Sequence, residues 1–484
     1  MAAKQRFVLL IVLTSAFFFI TGCGGGGSIS FPPPQGGFTN ANLSGPFAFS
    51  YTGSDASGFL AVAGSFTADG KGNITSGMED LRDANAAVTN AAITGTYTVR
   101  PDGRGQAQLN SPGGNSTIAF VIVAGGHALV TRFDASATGS GTIDQQSPSA
   151  FSTSALAGQF AFSLTGVDSL VNPLSVVGSF TSDTSGNITS GVDDSNDSGS
   201  VITNDPLTGS IAVAANGRGS ATLNTMRGTS TFAFYVVDAT HIKLVEVDTT
   251  LALGGEAFSQ AGPFSNASLS GPFAFTIAGA DNVTAGPFAA GGIINSDGAG
   301  NITSGTEDLN DGGTITTNAG LSGTYSLAAS GRGTATLNNG RFTASLVFYP
   351  SSGGVLLLET DVNFVAGGTA LQQTPPFSAG SFSGTYGMNF TGVSSNGEFD
   401  SVAQFTADGA SKFSGIVDVN NNGGVSFGQP LSATFSVAAS GRSTVTLQTS
   451  LGTQNAAFYS VNGSRALFIE LDSGAVAAGE IRHQ

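Results

Sequence analysis

The feature that most constrains this chain is a repeat. Leu43-Ser44-Gly45-Pro46-Phe47 returns as Leu156-Ala157-Gly158-Gln159-Phe160, as Leu269-Ser270-Gly271-Pro272-Phe273 and, in a fourth form, as Phe382-Ser383-Gly384-Thr385-Tyr386, each 113 residues after the last. Phe38, Phe151, Phe264 and Phe377 keep the same step. Inside each copy, Gly72-Asn73-Ile74-Thr75-Ser76-Gly77 recurs at 186–191 and 300–305 and decays to Lys412-Phe413-Ser414-Gly415. Gly103-Arg104-Gly105 recurs at 217–219 and 331–333 and becomes Gly441-Arg442-Ser443. Each copy ends near a glutamine: Gln146, Gln260, Gln373 and Gln484. A unit of 113 residues is too long for a solenoid turn and long enough for a domain with its own core. The repeats are placed at 38–150, 151–263, 264–376 and 377–484. Their joints, 147–155, 261–268 and 374–381, are short and hold Pro, Ser and Gly, which predicts beads on restricted hinges.

Each copy reads as all-β. Copy two holds about eight strand-like runs bounded by Gly, Asn, Asp and Ser, the residues that supply positive φ or local side-chain turns. No segment carries a helical period. Eight strands joined by short turns predict an up-and-down meander closed into a small barrel, which removes exposed edges. The alternative is an immunoglobulin-like β-sandwich. The opening Gly-x-Phe/Tyr is similar to the Gly-x-Trp that begins lipocalin- and avidin-like barrels, although the chain has no tryptophan. That likeness is one of strand count and size.

Residues 1–22 read as a signal peptide: Lys4 and Arg6 precede an apolar run of 14 residues at 7–20, too short to span a bilayer comfortably. Ile20-Thr21-Gly22-Cys23 follows, and Cys23 is the only cysteine. This segment resembles the lipobox of bacterial lipoproteins. The resemblance implies cleavage before Cys23, diacylation of its sulfur and anchoring to a membrane. Gly24, which is not Asp, implies the outer membrane if the host is Gram-negative. Two or more acyl chains suffice for stable anchoring. Residues 23–37 are then a lipidated Gly- and Pro-rich linker.

The whole chain carries a formal charge of −16, and loss of Lys4 and Arg6 makes it more acidic. With no basic stripe, this disfavours nucleic acid as a partner. A lone cysteine excludes an intrachain disulfide. His127, His241 and His483 show no zinc spacing. No nucleophile elbow, P-loop or dinucleotide fingerprint is present.

Three residue sets stand out. Asp69 and Asn73, with Asp183 and Asn187, and Asp297 and Asn301, form Gly-rich turns followed by Asp80, Asp194 and Asp308. These oxygens could serve calcium, or could simply build a hairpin and a solvated acidic turn; no other cofactor is implied. Arg104, Arg218, Arg332 and Arg442 recur in a chain with 16 basic residues. They read as structural, paired with an acid such as Glu246, Glu359 or Glu470, or with Asp134, Asp248, Asp361 and Asp472, which close the penultimate strand. The aromatic set around Phe47, Phe49, Phe66 and Phe120 reads as a filled core.

The functional expectation is a non-enzymatic envelope lipoprotein presenting β domains for adhesion or as a spacer, its partner an unknown protein or glycan. Alternatives are barrels that each bind a small ligand or glycan, and a carboxylate-dependent hydrolase.

Overall fold

A computed structural model describes residues 37–248, 251–450 and 452–484. The residues read as a signal peptide, Cys23 and almost all of the segment read as a linker lie outside the described residues. Each repeat forms an eight-stranded antiparallel barrel in simple meander order, as expected, and the sandwich alternative is overturned. In barrel one the strands are β1 (Ser44–Asp55), β2 (Gly58–Asp69), β3 (Asn73–Asp83), β4 (Ala87–Val99), β5 (Arg104–Asn110), β6 (Ser116–Val123), β7 (His127–Asp134) and β8 (Ala137–Gln145). β1 pairs with both β2 and β8, which closes the barrel. In barrels two and three the fourth strand is broken at Leu207 and Leu321, both buried, and the sheet still closes through its second and third strands.

The pattern of burial reveals more than four separate cores. β4 alternates as a half-buried strand should, with Ala91, Ile93 and Tyr97 inside. β2 is buried on both faces for most of its length. Its inward Leu60, Val62 and Phe66 belong to the barrel core, whereas its outward Ala61 and Ala63 pack on Ala233, Tyr235 and Val245 of barrel two. Equivalent apolar seams join barrels two and three around Tyr349 and Leu358, and barrels three and four around Tyr459 and Ile469. A fourth seam, around Val121, Leu129, Phe133 and Val402, joins barrel four back to barrel one.

The chain therefore closes into a ring, and residues 37–484 belong to one compact unit. This corrects the expectation of beads on hinges. The same surface of one barrel always meets the same opposite surface of the next. Such a head-to-tail contact either closes or propagates as a filament. Here it closes after four copies, with the first two strands of barrel four lying on β6, β7 and β8.

Candidate functional site

The ring is built by residues that repeat. At each joint an aspartate is buried at a β-bulge: Asp80, Asp194, Asp308 and Asp418, all 0 % exposed. The register shifts around each of them, as a bulge requires. The residue opposite has positive φ (Asn90 53°, Asn204 58°, Asn318 51°, Gly428 67°). Its backbone N–H donates to the aspartate at 2.7–2.8 Å. Asn and Gly tolerate this left-handed backbone better than other residues.

The aspartate then receives the next barrel's arginine. Arg218 donates to Asp80 through Nε at 2.8 Å and Nη2 at 2.7 Å. Arg332 holds Asp194 and Arg442 holds Asp308 in the same way. Arg104 closes the ring on Asp418 at 3.0 Å. Tyr235, Tyr349 and Tyr459 add a hydroxyl to the first three pairs at 2.5, 2.5 and 2.7 Å. At the closing joint Val121 stands in the tyrosine's place, and Phe427 of barrel four lies against Phe133 and under the Arg100 and Arg104 guanidiniums.

The copy-ending glutamines also reach forward. The Nε2 of Gln146, Gln260 and Gln373 donates to Val236, Pro350 and Ser460 O of the following barrel. Gln484 completes the circle on Asp102 and Ile122 O of barrel one.

The structure places the sequence candidates as follows. Asp69 accepts the backbone N–H of Lys71 and Asn73 and the Asn73 side chain, and Asp183 and Asp297 do the same in their turns. Led by the Asn73 and Asn301 side chains, these bonds lower the Asp69 and Asp297 carboxyls to about 2. Asp80, Asp194 and Asp308 are separate from those turns, sealed in the joints. Among the described residues no three His, Cys, Asp or Glu side chains gather as a metal site. The recurrent arginines do not pair with Asp134, Asp248, Asp361 or Asp472. Those acids accept the backbone N–H of Thr117, Thr231, Ser345 and Asn455 inside their own barrels. Asp134 also pairs with Arg132.

Where the four barrels meet, a cavity of ≈ 550 Å³ is lined by residues of all of them. Its wall comes mainly from the seventh and eighth strands, with Thr276, Ala278 and Asn389 of first strands and the turn at Ser352 and Gly353, and its charges sit at positions where the copies disagree. Strand register makes His127, His241 and Arg465 equivalent. It likewise makes Thr142, Glu256, Thr369 and Glu480 equivalent, and Leu129, Lys243, Leu356 and Leu467. Barrel three brings no charge, only Leu356, Ala278, three glycines and hydroxyls.

The charged groups form two clusters. Lys243, fully buried behind the wall, reaches Asp144 at 2.8 Å and Glu256 at 2.6 Å. His127 Nδ1 bonds Asp144, and His241 stacks on Phe258 beside Glu256. Burial opposes charge on Lys243, but the two carboxylates outweigh it and raise its pKa. Burial likewise opposes charge on Asp144 and Glu256, yet Lys243 holds both well below the usual carboxylate range. On the far wall Arg465 (3.0 Å) and Arg482 (2.9 Å) share Glu480. Against burial, they hold it at about 2. The bonds to Glu480 use Arg465 Nε and Nη2 and Arg482 Nε only. The guanidiniums carry five N–H each, so most of their donors are left to the cavity. The Nε2 atom of His127 is also buried without a hydrogen-bond partner, whereas His241 Nε2 lies 3.3 Å from Glu256.

Sequence reasoning set His127 and His241 aside for want of zinc spacing, and it missed Lys243, Arg465 and Arg482. The available signal was the departure from the repeat itself.

No family model and no curated protein matches the chain. Among solved structures, a Trp-176-Ala mutant of transferrin binding protein B from Haemophilus parasuis Hp5 is 12% identical, over 76% of this chain and 85% of that one, with a TM-score of 0.21. CghA with Sch210972 is 8% identical, over 67% and 88%, at 0.19. Intact Ap-TbpB, with N and C lobes, is 9% identical, over 74% and 84%, also at 0.19. Superpositions this poor carry no argument about this chain.

Proposed function

We propose that this chain is an exported, lipid-anchored, non-enzymatic binding protein, and that its ring of barrels holds one small polar ligand with an anionic group in the axial cavity. The observation that carries the reading is the contrast between joints and axis. Residues that close the ring repeat around it, whereas residues facing the axis differ and are charged. A pure spacer has no use for buried charge at its centre. The unshared N–H groups of Arg465 and Arg482 suit a carboxylate or similar anion. The bare imidazole nitrogen of His127 suits a donor or acceptor elsewhere on the ligand, and the uncharged wall of barrel three suits its apolar part. The adhesive or spacer reading asks for an extended array, and the closed ring favours binding over it.

Native mass spectrometry on residues 24–484, exported in the native host, tests this. The expected result is one added mass per chain, lost when Arg465 and Arg482 are both replaced by Gln. Four equal increments would instead favour one ligand per barrel, and a bare mass in every preparation would overturn the proposal. The anchor has its own test: Cys23→Ser is expected to move the protein from the membrane fraction to the soluble one. Retention on the membrane would contradict lipidation.

A further inference from the structure

The four barrel interiors are not equally full. Barrel three holds two adjoining cavities of ≈ 60 Å³ each, which share the walls Phe275, Leu337, Leu346 and Leu357. The interior cavities of barrels two and four are ≈ 20 and ≈ 10 Å³. By this measure about 10–15 Å³ admits a water. One substitution accounts for much of the difference. Register makes Phe66, Phe180, Ile294 and Phe405 equivalent. In barrels one, two and four that phenylalanine stacks on Phe47, Phe160 or Tyr386 at 5.6–5.8 Å. In barrel three Ile294 leaves the ring's volume empty.

The same barrel carries three carboxyls on the wall of its cavity: Glu307, Glu359 and Asp361, the last accepting the Ser345 N–H. Barrel one sets Arg132 where Glu359 stands, and barrel two answers Asp193 with Arg227 at 2.5 Å. Barrel four replaces the first acid by Val417 and gives Glu470 a donor, Gln454 Nε2 at 3.2 Å. Barrel two also leaves Glu246, the equivalent of Glu359, without a partner, but beside a cavity of only ≈ 20 Å³; barrel three joins such an acid to open space. Register puts Ala344 where the others have Ser116, Ser230 and Gln454. Glu359, 5 % exposed, is left with Oε1 unpartnered. Glu307 accepts from Asn339 at 2.7 Å. The nearby Arg341 is exposed and turned to Thr316. Burial, Asp361 and Glu307 push the Glu359 carboxyl up to about 9, so it keeps its proton at neutral pH.

We propose that barrel three is a second binding site, for a small alkylammonium ligand. Its ammonium lies between Glu307 and Glu359, and its hydrocarbon fills the space beside Ile294. A monocation that displaces one proton from the pair leaves the charge of the lumen unchanged, so burial of the ligand is compensated. Phe342, 42 % exposed and on the cavity wall, marks the entrance. This site is independent of the axial cavity.

Isothermal titration of the exported chain with n-hexylammonium chloride tests it, with 1-hexanol and hexanoate as probes of the same length. One site per chain is expected for the ammonium, at least about tenfold tighter than for either control. Glu359→Gln is expected to weaken it by about tenfold or more, since hydrogen bonds to charged groups are worth that much. Ile294→Phe, which restores the side chain of the other three barrels, is expected to abolish binding without lowering the thermal midpoint. No heat of binding up to roughly 10 mM, a weak-ligand limit, would overturn the proposal. So would equal affinity for 1-hexanol, or unchanged binding by Ile294→Phe.

Discussion

Asp308 shows how much one buried residue carries in this ring. It accepts from its own bulge, from Arg442 and from Tyr459, so all of its capacity is used inside the protein. Removing one partner of such a buried pair leaves an uncompensated charge and costs about 3–5 kcal/mol. Arg442→Ala is therefore expected to destabilise the chain by that amount in urea unfolding, and Arg341→Ala, on the surface, by less than about 0.5 kcal/mol. Buried carboxyls also set a pH dependence. Burial raises Glu246 to about 8, Glu359 to about 9 and Glu470 to about 7. An unfolded glutamate titrates near 4.3. Between these values the folded chain binds more protons than the unfolded one, so stability falls as pH rises. Glu480, held at about 2, works the other way: its contribution is present above about 4.3 and lost as pH falls towards 2. The urea midpoint is expected to be higher at pH 5 than at pH 9, and Glu246→Gln with Glu470→Gln to flatten that slope. The raised values follow from burial, which no spacing in the sequence discloses.

At the scale of the element, the short motifs have mechanical reasons. Gly331, first glycine of its Gly-Arg-Gly, has φ +88°, and a Cβ there would lie 2.8 Å from Gln260 Nε2 and 2.9 Å from the Phe264 ring. The glycine, the copy-ending glutamine and the copy-opening phenylalanine are thus one joint. Gly331→Ala combines backbone strain with a clash and is expected to lower stability by about 1–3 kcal/mol, read as a shifted thermal midpoint. All three landmarks were legible as recurrences, and so were the strands and the closed meander. Their meeting was not. A residue repeated once per copy can face its own copy or the next, and the period is the same either way. That ambiguity is why Arg218 was expected on an acid of its own barrel and is found on Asp80 of the one before. A clue existed in β2, where Ala61 and Ala63 stand outward on a strand that should show water a polar face.

For the whole molecule, closure explains both the repetition and its failure. Joints are used once per copy, so the same residues serve four times. An axis brings equivalent positions together, and four identical charges there would repel strongly in a low-dielectric centre. Lys243 between Glu256 of its own copy and Asp144 of the first, and Glu480 with Arg465 and Arg482 in the fourth, give a balanced centre that a perfect repeat could not. Copy four, the most divergent in sequence, must both complete the axis and close on barrel one, where Phe427 and Arg104 replace the tyrosine joint. Small-angle X-ray scattering from residues 24–484, without the acyl chains, tests this closure most directly. The ring predicts a radius of gyration of about 22–25 Å, close to that of a single globule of this length. Four barrels strung end to end, each with a radius of about 13 Å, would exceed about 30 Å and contradict it.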